Sequence, residues 1–185
     1  MKRAFDILLG IPIAILAGPI LVVVGLLIVV TSGWPAFIVQ TRVGANERPI
    51  RVPKLRTMHV GVPLVAKAAL RPEDAKYTPL GPWLRRSSLD ELPQIVSVLR
   101  GDMSLVGPRP ALPSQHDLLA LRRRHGVIPL KPGLTGLAQI EGRESLTLPT
   151  KVRYEALYAR RQSFWFDLAI VLKTGRAVFG ARGAY

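Results

Sequence analysis

Cysteine is missing from all 185 residues, which excludes disulfides, thiolate zinc sites and a cysteine nucleophile, and fits a reducing compartment. Histidine is scarce. His59, His116 and His125 are scattered, with no helical H-x-x-x-H pairing that would suggest a metal centre. The chain also lacks a G-x-x-x-x-G-K-[ST] loop, a G-x-G-x-x-G fingerprint, internal repeats and low-complexity tracts, so the common nucleotide cradles and solenoid architectures are out. Acidic residues are few: 12 Asp and Glu against 26 Lys and Arg leave a net charge of +14. Such an excess calls for an anionic partner, and nucleic acid, lipid headgroups and nucleotide phosphates all qualify.

The length suits one domain with a real core plus a membrane segment. Between Ile7 and Val30 there are 24 residues without a charge, longer than a signal-peptide core and followed by no small-x-small cleavage pattern. Gly10, Pro12, Gly18 and Pro19 interrupt this run, and basic residues flank both sides: Lys2 and Arg3 before it, Arg42, Arg48, Arg51, Lys54 and Arg56 after it. The positive-inside tendency then places both ends in the cytoplasm, which predicts a helix that enters the bilayer, breaks at Gly18-Pro19 and returns. An ordinary kinked span is the alternative.

The most informative stretch is Arg85 to Pro110, R-R-S-S-L-D-E-L-P-Q-I-V-S-V-L-R-G-D-M-S-L-V-G-P-R-P. Ser88 and Glu91 have capping-box spacing, and Leu89, Leu92, Val96 and Leu99 recur at helical intervals, which places Asp90 and Glu91 in a first helical turn. Backbone N–H groups there favour ionised carboxylates. One carboxylate can attack phosphorus while its neighbour holds a hard divalent cation. On the dipeptide alone, a helix cap paired with Arg85 or Arg86 is the better explanation. Lys54 and Arg56, two apart in an extended run, are expected on one face, and from the residues alone they read as solvated charges on a basic surface. Leu64–Leu70 reads as a short helix, and Leu112–Arg124 as a helix with a basic end at Arg122, Arg123 and Arg124. From Leu148 onward, Tyr154, Tyr158, Phe164, Trp165 and Phe166 suit either an interfacial helix or a core. Short strands among several helices imply a compact α+β domain, predominantly helical.

The central run, together with K-L-R-T-M at Lys54–Met58, K-P-G-L-T-G-L-A-Q-I-E-G-R at Lys131–Arg143, the apolar N-terminal segment and the aromatic, basic C-terminal helix, resembles the bacterial sugar transferases, the monotopic phosphoglycosyl transferases. These elements occur in family order from about Lys2 to Lys173. The resemblance implies a membrane segment over 1–35 and a catalytic domain over 36–185 at the cytoplasmic face of a bacterial inner membrane. It also implies a UDP-sugar donor, a polyprenyl phosphate acceptor such as undecaprenyl phosphate, and Mg²⁺, in a reaction that begins glycan assembly and involves no nucleic acid. By the same resemblance Asp90 takes the nucleophile's position, with Glu91 and Asp90 itself as metal ligands. Lys54, Arg56, Arg85, Arg109 and Arg143 are implied around the substrates. Family hairpins typically turn at Ser-Pro, where this chain has Gly18-Pro19. Larger members carry a membrane region that this sequence does not, so it reads as a minimal form, and a homodimer is compatible with it. The competing class is a basic, membrane-anchored binding or scaffold module, in which Asp90 and Glu91 would be dispensable.

Overall fold

The computed structural model describes residues 2–62, 76–142 and 145–179, with side chains in the last helix described to Arg176. The expected Leu64–Leu70 helix and Arg143 therefore lie outside the described residues. The architecture is α+β and predominantly helical. It begins with α1 (Lys2–Ser32), followed by the hairpin β1 (Phe37–Val43) and β2 (Pro49–Leu55), antiparallel with Phe37 opposite Leu55 and Val43 opposite Pro49. Next come α2 (Gly81–Ser87), a 3₁₀ helix over Leu89–Gln94, and α3 (Ile95–Arg100). β3 (Ser104–Val106) pairs in parallel with β4 (Gly133–Thr135), and α4 (His116–Arg124) lies between them in sequence. The chain continues through α5 (Leu137–Glu141), α6 (Leu148–Arg161) and α7 (Phe164–Phe179).

Helical backbone runs through Pro12 and Pro19 without interruption, so Gly18-Pro19 does not end the helix. A proline inside a helix costs about 3 kcal/mol, and packing on either side offsets it. Phe5 joins the main core with Val52, Ile95, Val98, Met103 and Tyr158, while Val24 and Ile28 join a second with Ala36, Leu55 and Leu84. Leu8, Ile15, Leu16, Val22, Leu26 and Val30 remain exposed on α1. An apolar surface of that extent on a helix long enough to cross a bilayer marks a membrane-associated protein.

Charged side chains fasten both ends of α1 to the domain. Lys2 Nζ donates to Asp167 Oδ2 (2.7 Å), the Val106 carbonyl (3.0 Å) and Tyr158 Oη (3.1 Å). Arg3 donates to the Val98 and Leu99 carbonyls at the end of α3. Asp6 Oδ1 accepts from Ser104 Oγ and the Leu105 N–H, both at 2.9 Å. At the far end Arg56, buried, donates to the carbonyls of Ser32 (2.8 Å), Gly33 (2.5 Å) and Trp34 (3.1 Å). The Ser32 carbonyl is one that a helix terminus leaves without an intrahelical partner, and those of Gly33 and Trp34 belong to the turn that follows. Of the flanking cations, Lys2, Arg3 and Arg56 are thus fasteners, while Arg48 and Arg51 remain exposed.

The C-terminal aromatics divide between the two expected environments. Tyr158 is buried, and its Oη donates to Asp167 Oδ1 at 2.7 Å. Trp165 and Phe164 at the start of α7 are 74% and 46% exposed, as Trp34 is 78% exposed beyond α1.

Candidate active site

Three elements converge on one depression. The alternation of β-strands and the hairpin register, with Ile38 opposite Lys54, Gln40 opposite Val52 and Arg42 opposite Ile50, put Lys54, Gln40 and Arg42 on one face. The 3₁₀ helix packed against β2 brings Asp90 and Glu91. The turn after β3 brings Arg109. Arg42, Val52, Lys54, Glu91, Gln94, Arg109, Pro110 and Gly133 line the depression.

The expected capping box is not formed. Ser88 adopts a left-handed conformation (φ 58°) and its side chain caps nothing; Pro93 falls inside the short helix, which holds 3₁₀ geometry until α3 begins. Glu91 is consequently free of any capping duty, and its carboxylate turns to the cations instead. Lys54 Nζ lies 2.8 Å from Oε1, while Arg109 forms a two-pronged contact, Nη2 to Oε1 at 2.6 Å and Nη1 to Oε2 at 3.2 Å. Asp90 has only Lys54 Nζ at 3.9 Å and accepts no hydrogen bond among the described residues.

The neighbouring carboxyls are driven in opposite directions. Burial pushes both up. A unit charge about 4 Å away is worth about 4 kcal/mol at an effective dielectric near 20, and Glu91 has two cations closer than that. Arg109 and Lys54 overcome its burial and hold it well below the usual carboxylate range. Asp90, whose burial is opposed chiefly by the more distant Lys54 and reinforced by the charge of Glu91, stays above that range. The sequence-based expectation of a carboxylate stabilised by a helix N-terminus is therefore corrected for Asp90: desolvation dominates.

The G-P-R-P turn is tightly built. A Cβ on Gly107 would lie 2.3 Å from the Lys131 carbonyl oxygen, and one on Gly133 would lie 2.1 Å from the Gly107 nitrogen, so the two backbones approach as only glycines allow. K-P-G-L-T-G thus buttresses the turn that carries Arg109. From the other side Arg122 Nη2 donates to the Arg109 carbonyl (2.9 Å), while its guanidinium makes a buried, two-pronged pair with Glu155 at 2.6 and 2.8 Å. Arg122, expected at a solvated or lipid-facing helix end, is a buried support.

Of the expected cluster, Asp90, Glu91, Lys54 and Arg109 come together. Arg85 stands at the edge: it donates to Thr57 Oγ1 (3.0 Å) and lies over the Tyr77 ring, 5.0 Å from its centroid, within electrostatic reach of Asp90. Arg56 does not join, because the strand pairing of β2 ends at Leu55 and its guanidinium turns to the end of α1. Gly18 and Pro19 lie within α1. Arg42 and Gln40 were counted among flanking residues or passed over, although the alternating Q-x-R pattern on a strand was there to be read. Arg122 and Glu155 were also missed, and nothing local in the sequence pairs them.

The chain belongs to the bacterial sugar transferase family, whose pattern it matches over residues 1–181. It is similar to the UDP-glucose:undecaprenyl-phosphate glucose-1-phosphate transferase of Caulobacter vibrioides, 37% identical over 191 residues that cover 100% of this chain and 72% of the relative. The protein of that name in Escherichia coli K12 is 37% identical over 195 residues, and the undecaprenyl-phosphate galactose phosphotransferase of Salmonella typhimurium is 34% identical over 200. Both alignments cover 100% of this chain, which spans only 41% and 42% of those two relatives.

Proposed function

We propose that this protein moves a sugar 1-phosphate from a UDP-sugar to undecaprenyl phosphate or a similar polyprenyl phosphate. The observation that carries the reading is the contrast at the dyad: in a cluster of cations, Glu91 is tied by Lys54 and Arg109, while Asp90 has no hydrogen bond and only a 3.9 Å ion pair among the described residues. In the first step an Asp90 carboxylate oxygen bonds to the β-phosphorus, the bond from that phosphorus to the bridging oxygen breaks, and UMP leaves. In the second, an oxygen of the polyprenyl phosphate bonds to the same phosphorus and the Asp90 carboxylate departs, giving polyprenyl diphosphosugar. Lys54, Arg109 and, at the edge, Arg85 neutralise phosphate charge during both displacements.

Mg²⁺ characteristically takes one or two protein carboxylates and completes its shell with water and substrate phosphate. The adjacent Asp90 and Glu91 fit that sparse donor set, and bound there the ion would neutralise non-bridging phosphate oxygens. Donor phosphates that draw Lys54 and Arg109 to themselves would release the Glu91 oxygens for this role.

On this reading α1, although helical through Gly18-Pro19, enters the bilayer without crossing it, so that both its ends and the catalytic face lie at the cytoplasmic surface. A crossing helix leaves one end on each side of the bilayer, whereas Lys2, Arg3 and Asp6 hold one end of α1 to the domain that Arg56 holds at the other. The absence of cysteine allows a direct test. Ala4→Cys and Thr31→Cys, both at exposed positions, should react with an impermeant maleimide only from the cytoplasmic side; labelling from opposite sides would establish a span.

The test of the reaction is UMP release from a panel of UDP-sugars with Mg²⁺. Without acceptor, one donor should give a stoichiometric burst and a phosphosugar adduct on Asp90 by mass spectrometry. A folded protein in lipid that releases UMP from none of them would favour the binding or scaffold role. Relatives named for glucose and for galactose stand at 37% and 34% identity, too close to choose a sugar.

A further inference from the structure

Arg42 shares a face of the hairpin with Lys54 and lines the same depression as Lys54, Glu91 and Arg109. Its guanidinium donates to Gln40 Oε1 at 2.5 Å and to the Pro110 carbonyl at 3.4 Å. Those contacts use two of the five N–H donors an arginine carries, and neither partner bears a charge. The nearest carboxylate, Glu91, is already engaged by Lys54 and Arg109. Burial foremost, and then the charge of Arg109, push Arg42 down to about 10 against the pull of Glu91.

We propose that Arg42 is a further phosphate-binding residue of this site, aimed by Gln40. The inference rests on reading the depression as a phosphate site. Gln40 is suited to the task because a neutral acceptor fixes the guanidinium without cancelling its charge. A carboxylate at that position would hold Arg42 equally well and remove its pull on an anion. The phosphate belongs to the nucleotide diphosphate of the donor or to the headgroup of the lipid acceptor, which share this chemistry.

This asymmetry supplies the test. Full-length protein in lipid nanodiscs is titrated with inorganic pyrophosphate, as wild type, Arg42→Lys, Arg42→Met and Gln40→Glu. Arg42→Met and Gln40→Glu should each weaken binding about tenfold or more, and Arg42→Lys about threefold, the charge being kept and the fork lost. Gln40→Glu should leave the thermal midpoint unchanged or raised. A folded Arg42→Met that binds pyrophosphate as the wild type does overturns the proposal, and so does Gln40→Glu with affinity intact, which decides even if Arg42→Met fails to fold. The source follows from two arms. A raised KM for UDP-sugar in the acceptor-free UMP burst assigns Arg42 to the donor; a raised KM for polyprenyl phosphate in full turnover, with the burst unaffected, assigns it to the acceptor. A wild type that binds pyrophosphate through Arg42 yet releases no UMP would sink the transfer reaction and leave this inference standing.

Discussion

Lys54 and Arg56 stand two residues apart, one ending up in the site and the other at the end of α1, and they illustrate two uses of positive charge in one small protein. Around α1 every cation is matched to a local acceptor: Arg56 and Arg3 cover backbone carbonyls, and Lys2 meets Asp167. Around the depression Lys54, Arg109 and Arg42 crowd about a single engaged carboxylate, Glu91, with Asp90 held apart. The fasteners spend their donors on acceptors that belong to the fold, whereas three cations gathered about one engaged carboxylate mark where an anion belongs.

The sharpest way to break the comparison is Asp90→Asn. It should lower UMP release by about three orders of magnitude or more, with stability unchanged or raised. The sign follows from burial: a carboxyl whose folded pKa is raised loses stability as pH climbs from its unfolded value through its folded one, and asparagine escapes that loss. A drop in thermal midpoint alongside lost activity would mean that Asp90 is a structural group.

Next come the fasteners. Arg122→Met strands Glu155 as a buried charge and should cost about 3–5 kcal/mol in denaturant unfolding, with the remaining activity reduced because the Arg109 carbonyl loses its support. Arg56→Met should cost about 2–4 kcal/mol while leaving the donor KM of folded protein within about twofold. A larger KM change would return Arg56 to the site from which the geometry removes it.

Lys54→Met tests the gathered cations. It should lower kcat/KM by about 10- to 100-fold and move the acid limb of the pH profile upward. Attack requires ionised Asp90, so with its pKa already raised by burial, activity falls away at a higher pH than for an ordinary aspartate near 3.9. Removing the cation that most opposes the burial raises that limb further. Glu91 behaves oppositely: its lowered pKa makes its ion pairs a source of stability above about 4.3, lost as pH falls toward its folded value. At the small end, Arg124→Ala, exposed beside Arg122 on α4, should alter stability by no more than about 0.5 kcal/mol.

Much of this was legible in the chain. The apolar run, the helical excess and the meeting of Asp90, Glu91, Lys54 and Arg109 follow from local pattern together with a motif order that spans the chain. The roles of Arg56 and Arg122 were not legible. Arg56 acts on a helix end 22 to 24 residues earlier, and Arg122 pairs with Glu155 33 residues later, so both depend on tertiary placement that periodicity does not encode. The capping-box reading failed because Ser88 took a left-handed turn and Pro93 tightened the helix, leaving Glu91 to the stronger pull of two cations.

The fastening of α1 also has a consequence for biosynthesis. The partners of its first turn are made late: Asp167 follows Lys2 by 165 residues, and Leu105 follows Asp6 by 99. At translation rates of about 5–20 residues per second, the interval from Lys2 to Asp167 is on the order of 10 to 30 seconds. For that time the apolar helix exists without the domain that will clamp it, and a nascent membrane segment must wait in lipid or in the grip of the insertion machinery. Arg56 and the partners of Arg3 and Asp6 emerge earlier. The Lys2–Asp167 pair closes last, only when α7 has been made, so the last described helix to leave the ribosome completes the fastening of the first.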